Sequence, residues 1–230
     1  MNVKGFHKTS LIDYPGEISS VIFTGGCNLR CRFCHNTELA YDNEVVGISE
    51  TEILTTLEKR KKIIDAVVIT GGEPTLRSGL ALFLKKLKSL GFKIKLDTNG
   101  FSPHVLEQLL DQSLLDYVAV DIKTAPSKYH DLVGSTDSTE LVQQTITLLK
   151  NKSPDYEVRT TCVPGYVELE DLMEIREWIG KVGKYYLQQF RNENTLDTKL
   201  SSCTPHSKEK LHSFREFISS FSDICEIRGI

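Results

Sequence analysis

The residues best able to do chemistry are three cysteines in one short stretch, Gly25-Gly26-Cys27-Asn28-Leu29-Arg30-Cys31-Arg32-Phe33-Cys34-His35-Asn36. Their spacing is Cys-x3-Cys-x2-Cys. A loop this short cannot hold the thiols far apart, so they can converge on one inorganic centre. Thiolates select soft metals, chiefly zinc and iron–sulfur clusters. A usual cluster takes four cysteines, yet Cys162, Cys203 and Cys225 are remote and follow no cluster spacing. Either a distant residue completes the site, or one iron is left open for a small molecule. The other reading is a structural zinc loop. Such loops usually show paired Cys-x2-Cys units or a completing histidine. His35 directly follows Cys34, which makes convergence of the two on one tetrahedral ion awkward.

Further polar and glycine-rich motifs recur along the chain. Gly71-Gly72-Glu73-Pro74 lets backbone approach a ligand closely, or simply makes a tight strand-to-helix turn. It is neither a Walker loop nor a dinucleotide fingerprint. Asp97-Thr98-Asn99-Gly100 and Asp121-Ile122-Lys123 bring two carboxylates that need compensation by a cation, a proton or a lysine such as Lys123. Both segments also read as strand-end caps and turns. Arg159 suits a carboxylate, a partner's backbone or an acidic side chain of its own fold. The remaining histidines show no ligand spacing with one another, and the remaining cysteines read as small buried residues.

The elements that must position these residues alternate regularly. Strands are predicted at Glu17–Thr24, Ala66–Thr70, Lys93–Asp97, Tyr117–Asp121, Glu157–Val163 and Tyr185–Phe190, with a short final strand at Ile224–Arg228. Helices are predicted from Ser49, where Ser49 and Glu52 make a capping box, and at Leu80–Leu90, from Ser102-Pro103, and at Glu140–Lys150, Glu168–Ile179 and Lys208–Ser219. Six strand–helix pairs imply a parallel sheet with right-handed crossovers. In parallel α/β barrels the active site lies at the carboxyl ends of the strands. The cysteine loop, Gly71-Gly72, Asp97, Asp121, Val163-Pro164-Gly165 and Gln188-Gln189 all fall there, and Arg159 lies within the fifth strand. No linker interrupts the pattern, so one domain is expected over 1–230, with its core at about 17–190.

The 230 residues suffice for one sizeable core. A net charge of −3 argues against a general nucleic-acid binder. No apolar run approaches a membrane span, and no apolar signal region follows Met1. Six cysteines with three in one loop do not form a secreted disulfide framework, so a reducing cytoplasm is expected.

The cysteine loop resembles the cluster motif of the radical S-adenosylmethionine (SAM) superfamily. Together with Gly-Gly-Glu-Pro, Leu96-Asp97-Thr98-Asn99-Gly100, Asp121-Ile122-Lys123 and Val163-Pro164-Gly165, it is similar to the activating enzymes of glycyl-radical proteins. The opening Lys8-Thr9-Ser10-Leu11-Ile12-Asp13-Tyr14-Pro15-Gly16 is similar to the group labelled anaerobic ribonucleoside-triphosphate reductase activating protein. The resemblance runs from about His7 to Phe190, and residues 191–230 are not diagnostic. It implies a partial, open (β/α)6 barrel. It implies that Cys27, Cys31 and Cys34 ligate a [4Fe–4S] cluster whose fourth iron chelates SAM. Phe33, His35, Asn36, Gly71 and Gly72 would lie against SAM, and Glu73 would give polar support. Asp97, Thr98 and Asp121 resemble positions that hold a monovalent cation beside the SAM carboxylate in the pyruvate formate-lyase activase. Lys123 and Arg159 would meet SAM or the partner's glycine loop. The implied reaction cleaves SAM reductively and removes hydrogen from a backbone glycine of a glycyl-radical enzyme, with a flavodoxin- or ferredoxin-type protein as electron donor. Only Thr37–Ile48 separates the cysteine loop from the first predicted helix, so further clusters are not expected. Two alternatives stand beside this reading. One is a radical SAM enzyme acting on a small molecule, as the 7-carboxy-7-deazaguanine synthases do. The other is a zinc-stabilised interaction domain without enzymatic activity.

Overall fold

The computed structural model describes residues 1–42, 46–135 and 139–230. Eight strands form one sheet in chain order: β1 (Val3–Ser10), β2 (Ser19–Thr24), β3 (Ala66–Gly71), β4 (Lys93–Thr98), β5 (Tyr117–Asp121), β6 (Tyr156–Cys162), β7 (Val182–Gln189) and β8 (Ser222–Arg228). Strands β2 to β8 are parallel, and β1 runs antiparallel to β2. Among the described residues β1 and β8 are the two ends of the sheet, which does not close. The expected open barrel of six parallel strand–helix pairs is present as β2–β7. The sheet is extended at both ends, by a full β8 and by β1, which the sequence pattern does not reveal. β1 is an edge strand of half-exposed polar residues with two register shifts, so it carries no apolar period.

The helices are α1 (Thr37–Tyr41), α2 (Glu50–Arg60), α3 (Leu80–Ser89), α4 (Pro103–Asp111), α5 (Pro126–Val133), α6 (Glu140–Lys152), α7 (Leu169–Ile179) and α8 (Lys208–Ile218). Their apolar faces follow the helical period, as with Leu80, Phe83, Leu84 and Leu87 of α3. They cover the outward side chains of the strands, among them Ile22, Val67, Ile69, Leu96, Val120 and Val158. Each such side chain contributes about 1.5–3 kcal/mol on full burial. The opposite face of the sheet lines the barrel interior. There Tyr14 packs on Val21, Ala66, Val68 and Tyr117, while the positions beyond are charged.

Two local expectations are corrected. Ser49 is the N-cap of α2, but its side chain makes no capping hydrogen bond. The first-turn Glu50 is drawn instead to the amino group of Met1 and to Lys86. A reciprocal capping box forms at α7, between Glu168 and Asp171. The first helix after the cysteine loop is the short α1, inside the expected connector Thr37–Ile48, whose residues 43–45 lie outside the described residues.

Candidate active site

The cysteine loop follows β2 and is pinned by main-chain hydrogen bonds to two helices. The amides of Gly26 and Cys27 donate to the carbonyls of Leu39 (2.7 Å) and Ala40 (3.2 Å) in α1. The amides of Arg30 and Arg32 donate to Val133 (2.7 Å) and Leu132 (2.9 Å) in α5. Arg32 reaches further, to the Tyr166 hydroxyl (2.9 Å) and Asp131 (2.6 Å). Cys27, Cys31 and Cys34 are all free and line one cavity of about 240 Å³. Phe33, His35 and Asn36 from the same loop line it too. Gly71 and Gly72 enter from the end of β3, Asp97 and Thr98 from β4, Asp121 and Lys123 from the end of β5, and Arg159 from β6. The ring of His35 is held by a 2.9 Å contact between Nδ1 and the Glu193 carbonyl.

The double glycine serves the protein's own packing first. A Cβ on Gly72 would fall 2.2 Å from the Gly26 carbonyl oxygen, and one on Gly71 would fall 2.5 Å from the Thr24 nitrogen. Gly71 also has φ +113°, a region that side chains rarely allow. The turn after β3 thereby lies directly on the base of the cysteine loop, and the Glu73 amide donates to Gly26 O at 2.8 Å. Glu73 does not line the cavity. Its carboxylate is 1% exposed and accepts from Thr75 N (3.1 Å), Thr75 Oγ1 (2.6 Å), Thr98 Oγ1 (2.9 Å) and Asn99 N (2.7 Å). Burial raises its pKa despite these donors. Glu73 therefore stitches the turns after β3 and β4 together. Asn99 extends the stitch to the cysteine loop through Asn28 Oδ1 (2.8 Å) and also lines the cavity.

The two carboxylates find their compensation in an alternating chain of charges. Lys123 Nζ lies 2.9 Å from Asp121 Oδ2, and Asp121 Oδ1 lies 2.7 Å from Arg159 Nε. Arg159 Nη1 lies 3.0 Å from Asp97 Oδ2, and Asp97 Oδ1 lies 2.6 Å from Lys95 Nζ. Burial by itself would raise both aspartate pKa values. Arg159, aided by Lys95 at Asp97 and by Lys123 at Asp121, outweighs it and holds both below the usual carboxylate range. The chain continues through Glu157, fully buried, which takes a bidentate pair of bonds from Arg228 (3.0 and 2.9 Å) and one from Tyr117 (3.0 Å). Sequence reasoning missed Lys95, Glu157, Arg228 and Asn99. Strand alternation could have found two of them. Lys95 shares the face of Asp97, and Glu157 that of Arg159, each two residues away.

Residues 21–179 match the radical SAM superfamily. The chain belongs to that superfamily. A Methanocaldococcus jannaschii protein provisionally named glycyl-radical enzyme activating enzyme is similar to it, at 33% identity over 233 residues, 99% of this chain and 96% of that protein. A Saccharolobus solfataricus protein provisionally named GTP 3′,8-cyclase is 31% identical over 129 residues, 56% of this chain and 42% of that protein. Among solved structures, Streptococcus suis SuiB bound to precursor peptide SuiA superposes with a TM-score of 0.70 at 15% identity. That match covers 91% of this chain and 48% of SuiB, and it shows the shared fold.

Membership implies a [4Fe–4S] cluster and SAM for this radical SAM enzyme. The donor set fits the cluster. Three free thiols from one short loop line one cavity, and thiolates are the ligands that iron–sulfur clusters take. Burial raises the Cys27 pKa and pushes Cys31 up to about 12, while Lys123 lowers both. Without metal these groups are neutral thiols at ordinary pH, so binding a cluster releases their protons. Each of the four oxygens of Asp97 and Asp121 meets one N–H donor, which leaves each a second acceptor site. No helix among the described residues is long and apolar enough to cross a membrane.

Proposed function

We propose that the protein is an activating enzyme for a glycyl-radical enzyme, with anaerobic ribonucleoside-triphosphate reductase as the partner class. Cys27, Cys31 and Cys34 would hold the cluster, which would supply the single electron for reductive cleavage of SAM and so for removal of a hydrogen atom from the partner's glycine. The chain's own residues bind, orient and exclude water. Phe33, His35 and Asn36 form one wall for SAM, and the Gly71–Gly72 backbone forms another. Asp97, Thr98, Asp121, Lys123 and Arg159 make the polar end, with their charges balanced before any ligand arrives. Such preorganised charge costs no rearrangement at the moment of reaction. Glu73 acts from behind, by fixing the turns that carry Gly72 and Thr98.

The observation that carries this reading is the single cavity in which three thiols meet residues from the ends of β3, β4 and β5 and Arg159 of β6. The full-length similarity to a protein named as an activase supports the choice of substrate. A flavodoxin- or ferredoxin-type donor in the cytoplasm completes the proposal, with residues 1–230 working as one domain. The cyclase likeness over 129 residues supports a second reading, a small-molecule substrate.

Anaerobic protein reconstituted with iron and sulfide decides between these readings. The expected result is a reduced [4Fe–4S] electron paramagnetic resonance signal that shifts with SAM, 5′-deoxyadenosine formation, and a glycyl radical on added anaerobic reductase. Zinc without iron, or a cluster indifferent to SAM, would sink the proposal. 5′-Deoxyadenosine coupled to a nucleotide substrate, with no radical on the reductase, would favour the second reading.

A further inference from the structure

The loop from 11 to 18, between β1 and β2, carries Leu11 and Ile12 with 74% and 86% of their surface exposed. This exposure does not come from a loosely built loop. The Ser10 hydroxyl donates to the Asp13 carboxylate and accepts from the amides of Ile12 (3.2 Å) and Asp13 (3.3 Å). Tyr14 is buried, with its ring centroid 5.7 Å from that of Tyr117. Two adjacent large apolar side chains are thus held out on a fixed turn, an arrangement that marks a contact surface.

Ile12 and Asp13 also line a second chamber of about 680 Å³ between the two ends of the sheet. Arg228 and Gly229 of the β8 end line the same chamber, as does Arg191 beyond β7. Its inner wall includes Arg159 and His35, which also line the cysteine cavity. A body seated on the Leu11–Ile12 tip therefore reaches a chamber that shares the side chains of Arg159 and His35 with the candidate active site. Three of the chamber's cations are already held by carboxylates behind its wall, Lys95 by Asp97, Arg159 by Asp97 and Asp121, and Arg228 by Glu157. Among the described residues this leaves Arg191 as the uncommitted cation of the lining, while its one carboxylate, Asp13, already accepts from Ser10. The guanidinium fork of Arg191 and the amide of Gln188 complement main-chain carbonyl oxygens. That is the chemistry of a peptide loop.

We infer that the Leu11–Ile12 tip is the docking point for the protein that donates the hydrogen, whose surface receives the two side chains in an apolar recess while its glycine loop enters the chamber. This rests on the glycyl-radical reading above. A small-molecule substrate would fill the chamber without using the tip.

Two experiments test it. A photo-crosslinking amino acid replaces Leu11 in cells that make this protein, grown without oxygen. The expected adduct, identified by mass spectrometry, joins a glycyl-radical protein, and the same probe at Leu82 of α3, 62% exposed, gives none. The paired substitution Leu11→Asp and Ile12→Asp is expected to lower the cellular glycyl-radical signal at least tenfold. The purified, cluster-loaded variant should still cleave SAM with dithionite at the wild-type rate. No adduct, an adduct with another class of protein, an equal adduct from Leu82, or an undiminished radical signal in the variant would each overturn the docking site. Absence of SAM cleavage by the wild type would instead overturn the underlying function, whatever the crosslink shows.

Discussion

Arg159 holds two carboxylates at once, and its removal leaves both buried and half-compensated. Breaking a buried charge network by deleting one partner costs about 3–5 kcal/mol. Arg159→Leu should lose stability on that scale in anaerobic urea unfolding, whereas Lys152→Leu, whose Glu107 and Asp111 contacts are exposed, should lose less than about 1 kcal/mol. The pH dependence has a definite sign. Asp97 and Asp121 have folded pKa values below their usual value of 3.8. Their contribution is therefore complete above about pH 5 and is lost as pH falls through the carboxylate range. Acid titration of the wild type should show that loss, and Arg159→Leu should show a smaller one. The cysteines behave oppositely toward metal. Because Cys31 without metal keeps its proton until about pH 12, a chelator should strip the cluster faster at pH 7 than at pH 9. Iron release followed by absorbance checks this.

At the scale of elements, the turn after β3 and the loop after β2 behave as one unit. Gly72→Ala places a methyl group against the Gly26 carbonyl at 2.2 Å, so backbone must shift. We expect about 1–3 kcal/mol of destabilisation from overpacking and a lower iron content per chain, since Gly26 adjoins Cys27. Gly165→Ala is the control for backbone strain without a clash. Unlike Gly72 it has a positive φ, +81°, and nothing lies within 4 Å of an added methyl group, so it should cost about 1 kcal/mol and leave iron content unchanged. Iron assay and thermal melting separate the two.

For the molecule as a whole, SAM binding should depend on the cluster. If one iron is open to SAM, adding SAM at about 100 times its dissociation constant should stabilise the loaded protein by about 2.7 kcal/mol. The cluster-free protein should move far less in the same melting experiment. The parts of this arrangement differ in how plainly the sequence shows them. The cysteine spacing is local, so the loop can be read directly, and the β-branched runs at Ala66–Thr70 and Tyr117–Asp121 locate central strands. β1 is invisible because an edge strand needs no apolar period, and the short α1 and α5 are fixed by docking on the cysteine loop. The Glu157–Arg228 pair joins residues from β6 and β8 that only the sheet order brings together. No local pattern announces such a contact.

An unclosed sheet also has two unpaired margins, which invite strands from other molecules. β1 interrupts its ladder at two places and exposes His7, Lys8 and Thr9, while β8 exposes Asp223 and Ile224 on the other side. Broken register on one margin and charge on both make poor templates for a further strand. The opening that admits a substrate can thus persist without turning the protein into the seed of an aggregate.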